Sequence, residues 1–199
     1  MGSQRVEART VSAEAAGRNP SLADHVRVFS DALPAAQCQA LIDRFEASSA
    51  AHENWQLERG YSFVQLDVTQ HWPDEAKALV KVFLAYFNRY QRAVNARFWP
   101  PQFGFEHLRV KRYLPNGRDA FPLHVDVMAH AAARRFMTAF IYLNTPEGGE
   151  TVFPDLGLSI APKTGSLIAF PPLWLFPHAG LPPRSSAKYI LHTYLGYPA

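Results

Sequence analysis

The chain has 199 residues, 48% hydrophobic and 19% charged, with a formal net charge of +3. That length suits one domain with a single substantial core, and that composition excludes general disorder. No run of apolar residues is long enough for a membrane-spanning helix, and the interspersed acids and bases neither point to nor exclude a nucleic-acid partner. Aromatic residues reach 13%, which suits a β-rich core. The single cysteine, Cys38, cannot form an internal disulfide, and residues 1–22 lack the apolar centre of a signal peptide. The expectation is a cytoplasmic protein with a flexible segment over 1–22 and one domain over 23–199.

His25-Val26-Arg27-Val28-Phe29 alternates as a short strand does. Ser30 or Asp31 can cap a following helix with Pro34 in its first turn, and Cys38, Leu41, Ile42 and Phe45 recur on one face of it. Residues 60–68 read as a strand. From Asp74 to about Ala96 the spacing of Ala78, Val82, Ala85, Tyr86 and Tyr90 predicts the longest helix, ended by Trp99-Pro100-Pro101. Short β-rich runs then follow at 105–114, 121–128, 135–144, 151–153, 158–160, 166–170, 174–178 and 187–195, separated by Pro, Gly and Asn. Such a series indicates a sandwich or barrel. The fold class is therefore α+β, mainly β.

His124-Val125-Asp126 lies in a strand-like run, where residues i and i+2 share a face. Imidazole and carboxylate together suit a divalent metal such as Fe(II), and one further histidine makes a facial triad with open positions. A His-x-Asp tripeptide alone is weak, because it arises often by chance on solvated strands. His178 in WLFPHAGLPP offers a third ligand. Lys188, Ile190, His192 and Tyr194 share a face of the following strand, and a lysine there calls for an anionic partner such as a small dicarboxylate.

The segments RYLPNG (112–117), HVD (124–126), MTAFIYLN (137–144), GGETVFP (148–154), APKTGSLIAF (161–170), HAG (178–180) and KYIL (188–191) stand in an order that resembles the prolyl 4-hydroxylase-like branch of the 2-oxoglutarate/Fe(II) dioxygenases. The likeness covers about 105–197, the expected catalytic core. It implies a double-stranded β-helix, or jelly roll, supported by N-terminal helices. It implies His124, Asp126 and His178 as iron ligands, Lys188 as partner of the far carboxylate of 2-oxoglutarate, and Tyr142 as a hydrogen-bond donor to that carboxylate. Tyr113 matches a tyrosine near the pocket mouth; the Gly148-Gly149 turn and Gly165 match positions where backbone geometry decides. His192, on Lys188's face, is a candidate for contact with the co-substrate. Phe121 replaces a tyrosine common three residues before the first ligand, and Ala187 replaces a glycine before the lysine.

The implied reaction consumes 2-oxoglutarate and O₂, with ascorbate as reductant, and hydroxylates an unactivated C–H bond with release of succinate and CO₂. A carboxylate in the second ligand position leaves no room for halide, which favours hydroxylation over halogenation. The expected substrate is a prolyl or related residue in a peptide or protein. The alternatives are a free amino acid or small metabolite, or an inactive jelly-roll binding module; nucleic-acid demethylation lacks a visible lid and basic groove. Arg109, Lys111, Arg112, Arg118, Arg134 and Arg135 are expected on a solvated face, Trp174 and Phe176 at a substrate entrance or in the core, and Cys38 in the core.

Overall fold

A computed structural model describes residues 21–198. The described residues open on a 3-10 turn, Leu22–His25, then β1 (Arg27–Phe29) and α1 (Ala35–Ala47). β2 (Glu53–Gln56) and β3 (Ser62–Asp67) pair as a hairpin, α2 (Val68–His71) is a single turn, and α3 (Pro73–Ala93) is the long helix. There follow β4 (Gly104–Phe105), β5 (Arg109–Tyr113), β6 (Phe121–His124), β7 (Arg135–Tyr142), β8 (Thr151–Phe153), β9 (Leu158–Ile160), β10 (Leu167–Phe170), β11 (His178–Gly180) and β12 (Lys188–Gly196).

The larger sheet runs β1-β10-β7-β12-β5-β3-β2, with β4 joined to β12; the smaller runs β6-β11-β8-β9. All strands named in these sheets pair antiparallel. The two sheets face one another as a jelly roll, and α1 and α3 cover the outside of the larger one.

Alternation along each strand decides what the two faces of the larger sheet hold. On β12, Tyr189, Leu191 and Leu195 pack in one apolar cluster with Leu41 and Phe45 of α1 and Leu79 and Phe83 of α3. Ala139 and Ile141 of β7 join that cluster. The opposite parity, Ile190 with Phe140 and Tyr142, packs between the sheets with Phe153, Phe170 and Phe176. The helices thus stiffen the back of a sheet whose front is the site.

The segment leading into α1 is tied to the larger sheet at one glycine. Gly165 adopts φ +77°, and its carbonyl accepts hydrogen bonds from the N–H groups of Ala32 (2.7 Å) and Leu33 (3.2 Å). A β-carbon there would stand 2.2 Å from the Leu33 carbonyl oxygen, so both the conformation and the close approach require glycine.

Several sequence expectations shift. Of the lead-in over 1–22, residues 1–20 lie outside the described residues, and Leu22 already belongs to the first turn. Pro34, not Ser30 or Asp31, occupies the N-cap of α1; the four residues expected on its inner face are the four that are buried. α3 ends at Ala93, before the prolines, and Val94 and the left-handed Asn95 lead the chain away. Its inner stripe is Ala76, Leu79, Phe83, Phe87 and Tyr90, rotated from the expected one because the larger side chains win the core. The 121–128 run stops being strand at His124, and 174–178 is turn and bend until His178 begins β11. β2, with every residue exposed, carries no alternation that a sequence reading can use.

Candidate metal centre

β6 and β11 pair so that His124 and His178 stand opposite one another, with ring centroids 4.3 Å apart. Asp126 lies just past the end of β6, so it reaches the same point from a bend and not by strand parity as expected. His124 Nε2 stands 3.5 Å from Asp126 Oδ1, and His178 Nε2 stands 3.9 Å from Asp126 Oδ2. The candidate ligand atoms of the three residues all lie within 4.8 Å of one another.

The tautomers follow from the second ring nitrogens. His124 Nδ1 donates to the Pro122 carbonyl (2.8 Å) and His178 Nδ1 to the Phe176 carbonyl (3.1 Å). Both Nε2 lone pairs are thereby turned inward, the arrangement a metal-ligating histidine needs. Burial lowers the His178 pKa to about 4, against the pull of Asp126. Burial pushes the Asp126 carboxyl up, but its close contacts with the imidazoles of His124, His178 and His192 outweigh it and hold the group well below the usual carboxylate range. Among the described residues Asp126 Oδ2 is buried without a hydrogen-bond partner. A buried carboxylate oxygen left open beside two inward lone pairs fits a divalent cation.

A second tier holds Asp126 in place. Tyr194 Oη donates to Asp126 Oδ1 at 2.7 Å. The Arg135 guanidinium lies 3.9 Å from the centroid of the Tyr194 ring and is itself fixed by two bonds to Glu106, at 2.6 and 2.8 Å. The sequence placed Tyr194 on the right face but gave it no role.

The triad opens into a cavity between the sheets. Lys188 lines it, 2% exposed. Its ammonium donates to the carbonyls of Gly149 (3.1 Å) and Leu181 (3.4 Å) and lies 4.6 Å from the Tyr113 ring centroid. Among the described residues no carboxylate forms an ion pair with it, and burial lowers its pKa to about 7 although Glu150 pulls the other way. Gly149, at φ +73°, leaves room for the stem: a β-carbon there would meet Lys188 Cδ at 2.9 Å. Tyr113 is buried beside Lys188, 3% exposed, and not at a pocket mouth.

Tyr142 also lines the cavity, but its hydroxyl is engaged with protein, sharing a hydrogen bond with Thr151 Oγ1 (2.7 Å) and donating to the Ile160 carbonyl (3.3 Å). His192 Nε2 shares a bond with Thr138 Oγ1 (3.1 Å), and burial keeps the ring neutral by lowering its pKa well below the ordinary value. Phe121 packs against His124, ring centroids 4.1 Å apart. Trp174 is 73% exposed and Phe176 is buried in the inter-sheet core, so of the two residues expected at an entrance or in the core one lies at the surface and the other in the core.

The basic set also divides. Arg112 turns outward to Glu46 at 2.9 Å, Arg135 pairs with Glu106, and the half-buried Lys111 lines the cavity. Parity could have found Lys111, since it shares a strand face with Tyr113. The Arg135–Glu106 pair, from distant parts of the chain, left no such signal.

Residues 108–196 match the family model described as the 2OG-Fe(II) oxygenase superfamily. A curated relative, a putative prolyl 4-hydroxylase of Acanthamoeba polyphaga mimivirus, is 35% identical over 104 residues, which are 43% of this chain and 42% of that protein. The match thus spans less than half the length of that relative. Among solved structures, a viral collagen prolyl hydroxylase from Paramecium bursaria Chlorella virus-1 superposes with a TM-score of 0.65 at 23% identity, covering 88% of this chain and 97% of that one. A Pseudomonas putida prolyl-4-hydroxylase gives 0.63 at 21% identity, with 88% and 94% covered. A Trichoplax adhaerens prolyl hydroxylase, solved with a hypoxia inducible factor peptide fragment, gives 0.66 at 16% identity, with 87% and 84% covered. The structural matches establish the shared jelly roll. Residues 108–196 thus resemble the 2OG-Fe(II) oxygenase superfamily, and the curated relative is a putative prolyl 4-hydroxylase.

Proposed function

We propose that the protein is a 2-oxoglutarate-dependent hydroxylase acting on a prolyl or related residue of a peptide or protein, with His124, Asp126 and His178 holding Fe(II). The observation that carries the reading is the open Asp126 Oδ2 between two inward Nε2 atoms, with the unpaired ammonium of Lys188 in the same cavity. When bound, Fe(II), 2-oxoglutarate and O₂ supply the chemistry: one oxygen atom enters a C–H bond while the keto acid is split to succinate and CO₂, with ascorbate keeping the metal reduced.

The chain's own residues do the positioning. The carbonyls of Pro122 and Phe176 fix both imidazole tautomers, and Tyr194 fixes the Asp126 carboxylate. Lys188 neutralises the far carboxylate of the co-substrate, and Tyr113 supports the ammonium from below. Tyr142 and Thr151 form the wall beside it. Phe121, Phe140 and Phe170 keep that end apolar and dry. The prolyl hydroxylase relatives support a polypeptide substrate. So do the exposed apolar side chains Leu123 and Met128, which flank the ligands in sequence, together with Trp174 ahead of His178.

Purified protein given Fe(II), ascorbate and 2-oxoglutarate should form succinate slowly without added substrate, and His124→Ala and Asp126→Ala should each abolish it. Equal succinate from wild type and variants would overturn the reading. Proline-containing peptides that gain one oxygen atom by mass, in the same incubation, identify the substrate.

A further inference from the structure

Lys111 is a second lysine in the cavity, and the positioning described above does not use it. It lies on β5 opposite Ile190 of β12, while Tyr113, two residues on, lies opposite Lys188. The two lysines therefore occupy successive rows of one sheet face, roughly 7 Å apart along the strand. The Lys111 ammonium stands 5.2 Å from the Phe63 ring centroid and 5.7 Å from that of Phe121. Among the described residues it has no hydrogen-bond acceptor and no ion pair. Its charged neighbours are Asp126, Arg109 and Arg135. Two aromatic faces attract a cation but do not neutralise its charge.

Charge makes the point sharper. Among the described residues Asp126 is the anion that opposes Lys111. A divalent ion on the triad takes up that charge and adds its own. The ion, Lys188 and Lys111 together carry four positive charges against one on Asp126; a dicarboxylate removes two and leaves one positive charge uncompensated. The row nearer the metal then holds a cation with three donors and no acceptor.

We propose that Lys111 is the specificity determinant for a carboxylate carried by the substrate that is to be hydroxylated, such as an acidic side chain or chain terminus beside the target residue. The inference rests on the oxygenase reading and deepens it. Lys188 receives the co-substrate, and Lys111 orients an acidic substrate over the metal.

The test needs no turnover. Protein loaded with Mn(II) and saturated with 2-oxoglutarate is titrated with [13C]acetate and, separately, [13C]acetamide, and paramagnetic line broadening is read by NMR. The affinity for 2-oxoglutarate is measured on the same samples by calorimetry. Wild type is expected to broaden acetate at least fivefold more than acetamide. Lys111→Met and Lys111→Gln should erase that preference, Lys111→Arg should keep it, and all should bind 2-oxoglutarate within threefold of wild type. Equal acetate broadening in wild type and both neutral variants overturns the assignment. A tenfold loss of 2-oxoglutarate affinity in the neutral variants overturns it as well, because Lys111 would then serve the co-substrate. Failure of wild type to bind 2-oxoglutarate strikes instead at the oxygenase reading beneath it.

Discussion

Replacing Lys188 by methionine should weaken co-substrate binding and strengthen the fold, two effects of opposite sign from one atom. The ammonium is buried without an anionic partner, and its pKa falls from 10.5 to about 7, a drop of about 3.5. At about 1.36 kcal/mol per unit this is a cost approaching 5 kcal/mol below pH 7. Between pH 7 and 10.5 the unfolded chain holds the proton and the folded chain does not, so the stability of metal-free wild type should rise with pH across that window. Methionine removes the cost but leaves the carbonyls of Gly149 and Leu181 without their donor, at about 1 to 2 kcal/mol each. The net expectation for Lys188→Met is a gain of roughly 2 kcal/mol at pH 6.5 that turns into a loss of similar size near pH 10. With Mn(II) bound, the variant should need at least about a hundredfold more 2-oxoglutarate, since a carboxylate left unpaired in a buried site loses about 3 kcal/mol or more. Urea unfolding at the two pH values and calorimetric titration of the co-substrate measure both. A variant less stable than wild type at pH 6.5, or one binding 2-oxoglutarate within threefold of it, would refute the argument.

Tyr194→Phe removes the hydrogen bond to Asp126 and should lower Mn(II) affinity by about tenfold, read by metal titration, and cost about 1.5 to 3 kcal/mol in urea unfolding of the metal-free protein. Tyr142→Phe loses the bonds to Thr151 and Ile160 and should cost about 1 to 2 kcal/mol in urea unfolding. Because that hydroxyl is engaged with protein, its effect on the 2-oxoglutarate requirement should be far smaller than that of Lys188→Met. Gly165→Ala forces a β-carbon against the Leu33 carbonyl from a left-handed backbone and should cost about 3 kcal/mol or more, read as a lower urea midpoint; an unchanged midpoint would mean that the α1 segment is not anchored there.

Parity made much of the site legible. The alternation that put Lys188, Ile190, His192 and Tyr194 on one face is a property of any strand, and the structure keeps all four in the cavity. The same rule failed at Asp126, because β6 stops at His124 and a bend delivers the carboxylate. Local sequence shows the residue types there but not the turn that aims them. The protein partners of the Tyr142 hydroxyl were illegible for a related reason: Thr151 and the Ile160 carbonyl come from strands whose placement the sequence does not reveal. Lys111 was set among solvated bases because basic residues are usually exposed, although its own strand carried the signal that it is not.

β12 joins the helix-backed core to the cavity. Its odd-numbered members Tyr189, Leu191 and Leu195 belong to the helix-backed core, while its even-numbered members Lys188, Ile190, His192 and Tyr194 line the cavity. A slip of one residue would push the lysine into the hydrocarbon packing under α1 and present leucines to the metal. Inserting or deleting a single residue in this strand therefore cannot yield a folded but inactive protein, nor an active but loosened one. Foldedness and reactivity are inherited together along its nine residues, and diversification of the pocket has to proceed by exchanging side chains at fixed register.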